Sequence, residues 1–137
     1  MAESFISNIN MFEPEKFNSL FSDADSCYKF LAEQKWPNGF LCRKCGHRNY
    51  CKGRRPYSRR CTKCKSEESV TAHTIFHRCR IPITTAFKIM YTVCKNPDIS
   101  SYKLSEEFDK RQMTCWKFKK RVVECKEAGG DAINFII

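Results

Sequence analysis

Residues 42–64 read CRKCGHRNYCKGRRPYSRRCTKC, and they contain two C-x-x-C pairs, Cys42/Cys45 and Cys61/Cys64, with fifteen residues between them. This spacing is typical of a zinc site in which two tight loops, called zinc knuckles, each supply two thiolates. Gly46, directly after the first pair, lets the backbone turn beneath the metal. Four thiolates close a tetrahedral shell and leave no position for a reacting water, so we predict one structural Zn²⁺ ion.

Two alternatives for this site stay open from the sequence alone. His47 and Cys51 lie between the knuckles, and either residue could replace a ligand or help to hold a second ion. Iron also fits four thiolates and would make the chain a rubredoxin-like electron carrier, although the many Arg and Lys residues favour another role. The remaining cysteines lack paired spacing and are interpreted as small buried apolar side chains. They are Cys27, Cys79, Cys94, Cys115 and Cys125.

The composition of the 137-residue chain indicates which class of protein it belongs to. Apolar residues make up 42% of the sequence, which is enough for a packed core. No run approaches the roughly 18 apolar residues of a membrane-spanning helix. The first ten residues lack the basic and apolar segments of a secretory signal. We therefore expect a cytoplasmic protein whose ten cysteines stay reduced and favour metal ligation over disulfides.

The net charge of +10 is concentrated in the middle of the chain. Residues 1–41 carry a balance of −3, residues 42–80 one of +10 and residues 81–137 one of +3. Concentrated positive charge favours a polyanionic partner, because each neutralised phosphate releases condensed counterions. An acidic protein or a membrane surface could use the same patch, but nucleic acid is the favoured interpretation.

The residue pattern divides the chain into three sections. Residues 1–39 are predicted to be a helical segment, residues 40–80 a zinc ribbon, and residues 81–137 a helical segment that contains a helix-turn-helix. The ribbon section is short, combines strand-favouring residues with turn residues, and has little helical periodicity. The predicted fold class is therefore α+β, with N-terminal helices, a small ribbon of short antiparallel strands, and a C-terminal helix-turn-helix.

Local signals refine these sections. A capping box at Ser22–Asp25 predicts the start of an N-terminal helix. Residues 70–76 are rich in β-branched and aromatic residues and favour a strand. A helix is predicted to begin at Pro82, and a short helix to run from about Ser100 to Phe108.

A longer helix is predicted from about Lys110 to Ala128. Asp109 and Gln112 fit a second capping box at its start, and Gly129–Gly130 would end it. Together with the preceding short helix and the tight turn between them, it has the outline of a helix-turn-helix.

Two basic elements are candidates for contact with nucleic acid. Between the knuckles, five cations surround Tyr57 in a loop or hairpin that suits a phosphate backbone. In the last helix, basic residues fall opposite the apolar seam, and a recognition helix presents such a face to the major groove. A solubilising loop and an ordinary solvated helix face are the alternatives. The predicted DNA-binding residues are Lys52, Arg54, Arg55, Arg59, Arg60, Gln112, Thr114, Lys117, Lys120 and Arg121.

Specific motifs extend beyond the cysteine pairs. In chain order they are DSCY at 25–28, WPNGF at 36–40, the two C-x-x-C pairs, SVTAHTIFH at 69–77, ISS at 99–101 and RQMTCW at 111–116. With these motifs, the run from Phe21 to Val123 resembles the N-terminal region of a family of bacterial insertion-sequence transposases.

The resemblance implies a DNA-binding region with a zinc ribbon and a helix-turn-helix. Such a region recognises the terminal repeats of a mobile element during DNA recombination, in a nucleoid-associated setting. The resemblance also implies zinc ligation by Cys42, Cys45, Cys61 and Cys64. In that family a DDE-type catalytic domain with a ribonuclease-H-like fold follows, and its carboxylates hold Mg²⁺ for strand cleavage and joining.

The sequence departs from the family after the predicted helices. It ends at Ile137, and no run of strands is present to bring three carboxylates together. We therefore expect DNA binding without catalytic activity, in the N-terminal part of a longer transposase or in a short transposase-derived protein. The alternative is a zinc-ribbon protein-interaction module of a transcription-type assembly. The DNA target sequence, the choice between DNA and RNA, and the choice between monomer and homodimer stay open.

Overall fold

The computed structural model describes residues 12–127, which form five helices and three short strands. The elements are α1 (Pro14–Leu20), α2 (Ala24–Lys35), β1 (Tyr50–Lys52), β2 (Arg59–Cys61), β3 (Glu67–Glu68), α3 (Ile83–Lys95), α4 (Ser101–Phe108) and α5 (Gln112–Glu127). Helices therefore flank a small sheet on both sides in sequence, which confirms the predicted α+β class. Among these helices, none has the length and apolar character that spanning a bilayer requires.

The N-terminal section contains two helices joined by a short turn. Pro14 opens α1, where its missing N–H costs no hydrogen bond. Asp23 caps α2, because its carboxylate accepts a hydrogen bond from the backbone N–H of Ser26 at 2.8 Å. The predicted capping box at Ser22–Asp25 is therefore displaced by one residue, since an aspartate caps a helix as well as a serine does.

The three strands form an antiparallel sheet in the order β1-β2-β3. Tyr50 pairs with Cys61 across β1 and β2, and Arg60 pairs with Glu67 across β2 and β3. This sheet is the framework that holds the second knuckle, because β2 ends at Cys61.

The strand predicted over residues 70–76 is wrong, since the segment folds as a series of tight turns. The hydroxyl of Thr74 donates to the carbonyl of Thr71 at 2.7 Å, and the backbone N–H of His77 donates to the carbonyl of Thr74 at 3.0 Å. Threonine hydroxyls compete in this way with the hydrogen bonds of a sheet. Ile75 and Phe76 are nevertheless buried, so their apolar character serves the core rather than a strand.

The C-terminal section contains α3, α4 and α5. Ser100 caps α4 by accepting a hydrogen bond from the backbone N–H of Lys103 at 3.1 Å, at the predicted start of this helix. The capping box predicted at Asp109 and Gln112 is wrong. Asp109 ends α4 in a left-handed conformation, with φ 53°, and the Gln112 amide donates to the hydroxyl of Ser101 at 2.6 Å. The predicted stop at Gly129–Gly130 lies outside the described residues.

One hydrophobic core runs through all the described sections, from Phe17 in α1 to Cys125 in α5. Phe87 of α3 is fully buried in this core and stacks on Phe76 with ring centroids 5.1 Å apart. The core also contains Cys42, so the ribbon is packed onto the helices and does not stand apart from them.

Candidate metal centre and basic surfaces

The first C-x-x-C pair folds into a tight loop closed by two backbone hydrogen bonds. The N–H of Cys42 donates to the carbonyl of His47, and the N–H of Gly46 donates to the carbonyl of Cys42, both at 2.9 Å. Gly46 has φ 76°, in the left-handed region that glycine adopts without strain. The loop therefore turns back on itself and presents both sulfurs to the same side.

The second pair repeats this construction. The N–H of Cys61 donates to the carbonyl of Ser66 at 2.9 Å, and the N–H of Lys65 donates to the carbonyl of Cys61 at 3.1 Å. Lys65 occupies the position of Gly46 in the first loop and has φ 66°. The two loops therefore have the same shape, but in the second a lysine adopts the conformation that favours glycine.

The two loops face each other and bring four sulfurs together. The Sγ atoms of Cys42, Cys45, Cys61 and Cys64 all lie within 4.8 Å of one another. The Cys42–Cys64 and Cys45–Cys61 pairs are each separated by 3.5 Å. A tetrahedral shell with zinc–sulfur bonds of ~2.3 Å requires sulfur–sulfur distances of ~3.8 Å, so the arrangement fits one zinc ion. This confirms the predicted metal site and its four ligands.

The surroundings of Cys42 and Cys64 favour the thiolate form that binds metal, whereas the pKa of the Cys45 thiol is raised to about 11. The backbone N–H of Cys45, followed by the hydroxyl of Ser66, lowers the pKa of the Cys42 thiol to about 6. The same hydroxyl lies 3.0 Å from the sulfur of Cys64 and lowers the pKa of that thiol too. Among the described residues, His47 and Cys51 are not in the cluster, which leaves four thiolates as the ligand set.

Burial divides the four ligands into two pairs. Cys42 and Cys61 are buried in the core, whereas Cys45 and Cys64 are exposed. Each knuckle thus contributes one inner and one outer sulfur. The ion would lie at the boundary between the core and the surface and would hold the two knuckles together.

Residues 22–67 match the family model of the transposase zinc-ribbon domain of the IS1595 family. This part of the chain is a transposase-related zinc ribbon. The match includes α2, both knuckles and β1–β2, and it reaches the first residue of β3. Comparison with curated proteins gave no match, and comparison with solved structures gave none either.

A buried lysine attaches the end of α2 to β3 and to the turns that follow it. The Lys35 ammonium donates to the backbone carbonyls of Ser69 at 2.8 Å and Ala72 at 2.6 Å, and it lies 2.7 Å from a carboxylate oxygen of Glu68. The other oxygen of Glu68 lies 3.0 Å from Nε of Arg43. Burial lowers the pKa of Lys35, and Glu68 opposes that shift. The sequence analysis did not single out this residue.

The hairpin between the knuckles carries the first set of predicted DNA-binding residues. Lys52, Arg54 and Arg55 are exposed at or near its tip. The carboxylate of Glu67 accepts a hydrogen bond from the backbone N–H of Arg54 at 3.2 Å and one from the hydroxyl of Ser58 at 3.3 Å. The tip is therefore fastened to β3 through its backbone, while three cationic side chains extend from it.

The other two hairpin arginines make internal contacts. The Arg59 guanidinium lies between the rings of Trp36 and Tyr50, 4.5 and 4.3 Å from their centroids. Cation–π contacts of this kind fix the side chain against the ribbon. The Nε–H of Arg60 donates to the carbonyl of Lys65 at 3.2 Å, although the side chain is exposed overall. The predicted DNA-binding residues of the hairpin therefore differ in environment, because Arg59 packs against two aromatic rings.

The second predicted set lies on α5 and is divided in the same way. Lys117 and Lys120 are exposed, and the Lys120 ammonium lies 5.4 Å from the ring centroid of Trp116. The Gln112 amide is held by Ser101, as described above.

Arg121 of α5 contacts the turns of residues 74–77. Its Nη1 donates to the carbonyls of Ile75 at 3.3 Å and His77 at 2.7 Å. The structure also brings Thr114, Lys117 and Arg121 into one groove with two arginines that the sequence analysis did not single out. They are Arg78 and Arg80.

Proposed function

We propose that this chain binds double-stranded DNA and acts as the part of a transposase-related protein that recognises the ends of a mobile element. The observation that carries the proposal is the positive charge concentrated in the middle of the chain. Residues 42–80 hold a balance of +10, and most of them lie within residues 22–67, which match a transposase zinc-ribbon domain. A polycation of this density on a rigid ribbon suits the phosphate backbone of a duplex.

The arrangement of α4 and α5 supports a helix-turn-helix as the reading element. The two helices are separated by residues 109–111 and pack against each other. The buried seam of α5 leaves an outer face that points away from the core. Within residues 112–120, the first part of α5, the exposed residues are Met113, Trp116, Lys117 and Lys120. Lysines suit phosphates, while an apolar side chain can contact the methyl group of thymine in the major groove.

A binding role without catalysis fits the described residues. Four thiolates fill the coordination shell of a zinc ion, so the metal would stabilise the fold and would not activate water. Within residues 12–127, the four cysteines form the only cluster of three or more side chains suited to hold a metal ion.

The test is a titration of the zinc-loaded protein with a 30-base-pair duplex, followed by fluorescence anisotropy across a salt series. We expect the logarithm of the affinity to fall with the logarithm of the salt concentration, by ~0.9 for each phosphate contact. The variant K52Q/R54Q/R55Q removes the exposed hairpin cations and should reduce this slope. K16Q/K29Q/K88Q removes the same charge from exposed helix positions outside the ribbon, should leave the slope unchanged, and serves as its matched control.

Recognition of element ends requires sequence preference, which selection from a random duplex pool would measure. An enriched motif supports the proposal, and a pool without enrichment contradicts end recognition. Absent binding would contradict DNA binding itself and would favour an acidic protein as the partner of the ribbon. Salt-independent binding would contradict contacts with the phosphate backbone.

A further inference from the structure

A basic groove lies between α5 and residues 78–81, the segment that leads into α3. It has a volume of about 290 Å³. Since a water molecule takes up ~30 Å³ in the liquid, the groove has room for a phosphodiester group with several waters. Four of its eight lining residues are cations, one is Thr114, and the others are apolar. The four cations are Arg78, Arg80, Lys117 and Arg121.

No acidic side chain lines this groove among the residues that the structure describes. The same positive charge contributes to a lowered pKa at the neighbouring His77. Its pKa is lowered by burial and by several cations, first Arg78, then His73 and Arg121. Four cations that converge without a carboxylate repel one another, so an anion that enters between them relieves this repulsion.

The backbone around the groove holds the Arg121 side chain and brings the other cations to the same place. Arg121 donates to the carbonyls of Ile75 and His77 and so joins α5 to the opposite wall. Arg78 has φ 52°, in the left-handed region, which turns the chain sharply just before Arg80. On α5, Thr114, Lys117 and Arg121 recur at spacings of three and four and therefore lie on one side of the helix.

We propose that this groove is a phosphate clamp, in which Arg78 and Arg80 together with Lys117 bind one phosphodiester group of duplex DNA beside α5. The inference rests on the proposed DNA-binding function and adds the contact that fixes α5 on the duplex. Arginine suits this role because its planar fork matches a phosphate with two parallel hydrogen bonds. The clamp is independent of base sequence and sets the position of the exposed face of α5.

The test compares the wild-type protein with R78Q/R80Q in the same salt series. We expect the variant to bind the duplex roughly 10- to 100-fold more weakly at low salt, because charge-assisted hydrogen bonds are lost. Its salt slope should fall by ~0.9, the value for one phosphate contact. The charge-retaining variant R78K/R80K should keep the wild-type slope but lose part of the affinity, because a lysine cannot make the forked contact.

The matched control is K16Q/K29Q, which removes two exposed lysines from the helices α1 and α2. It changes the net charge by the same amount, and we expect it to leave the slope unchanged. Zinc content and thermal unfolding establish that each variant is folded. If R78Q/R80Q does not fold, R80Q alone, which changes an exposed side chain outside the left-handed position, should still weaken binding.

The outcomes separate the two proposals. Wild-type protein that does not bind DNA would overturn the proposed function, and the clamp with it. Wild-type binding, with folded R78Q/R80Q indistinguishable from K16Q/K29Q in affinity and slope, would overturn the clamp alone. A loss of slope in R78K/R80K as large as that in R78Q/R80Q would also contradict a phosphate contact that depends on positive charge.

Discussion

Lys35 and Glu68 form an ion pair of 2.7 Å in which the lysine side chain is only 1% exposed. The pair joins the last residue of α2 to β3, and the same ammonium also satisfies two backbone carbonyls of the adjoining turns. Burying a charge is costly unless it is paired and hydrogen-bonded, and Lys35 meets both conditions. Its contacts therefore fix the position of the ribbon relative to the N-terminal helices.

We expect Lys35→Met to lower the free energy of unfolding by about 3 kcal/mol, because it leaves a carboxylate and two carbonyls without their shared donor. Urea denaturation of the zinc-loaded protein measures this change. Lys29→Met makes the same substitution at an exposed position of α2 and should change the stability by less than about 0.5 kcal/mol. Equal urea midpoints for the two variants would contradict a stabilising role for Lys35.

Introducing a glycine in one knuckle and removing one from the other should have opposite effects on the free energy of unfolding. Lys65→Gly should raise the free energy of unfolding by roughly 0.5 kcal/mol, because relief of the left-handed strain exceeds the extra entropy of glycine in the unfolded chain. Gly46→Ala should lower it by about 1 kcal/mol for the converse reason. Lys63→Gln removes a charge from the same knuckle and controls for electrostatics. Destabilisation by Lys65→Gly would show that the lysine side chain contributes more than its backbone strain costs.

Metal analysis distinguishes the four-cysteine site from the alternatives that the sequence leaves open. Purified wild-type protein should contain one zinc ion per chain. Cys42→Ser removes an inner ligand and should abolish stoichiometric binding and folding of the ribbon. Cys51→Ser removes an exposed cysteine outside the cluster and should retain the full zinc content. Loss of zinc from Cys51→Ser would instead place this residue among the ligands.

The environment of His77 predicts a pH dependence with a definite sign. Its pKa in the folded protein is lowered by burial and by Arg78, His73, Arg121 and Lys35. The unfolded chain therefore binds a proton more readily, so stability falls as the pH drops through the ordinary histidine value of ~6.5. His77→Gln should reduce this loss between pH 7.5 and 5.5. An NMR titration that gives His77 a pKa at or above the ordinary value would contradict the prediction.

Local patterns were sufficient to predict the metal centre. A C-x-x-C pair determines its own loop geometry, so Cys42, Cys45, Cys61 and Cys64 can be assigned without knowledge of the fold. The same holds for the start of α4, where the Ser100 cap depends only on neighbouring residues.

Features that depend on tertiary contacts were not predicted. Lys35 lies four residues after Leu31, on the apolar stripe of α2, but its carbonyl partners come from a distant segment. The threonine-rich segment has the composition of a strand. The hydroxyl of Thr74 donates one local hydrogen bond and accepts another, and these outweigh that preference. The groove around Arg78 and Arg80 forms only when α5 packs against that segment, so neither arginine could be distinguished from other surface cations.

The inner ligands Cys42 and Cys61 belong at once to the metal shell and to the core that reaches every described helix. Loss of the ion would therefore expose apolar surface well beyond the ribbon. In a cell, the supply of free zinc would then set the fraction of chains that escape proteolysis. Above the dissociation constant, each tenfold rise in free zinc adds ~1.4 kcal/mol to the stability of the folded form. Metal starvation would therefore lower the amount of this protein in the cell.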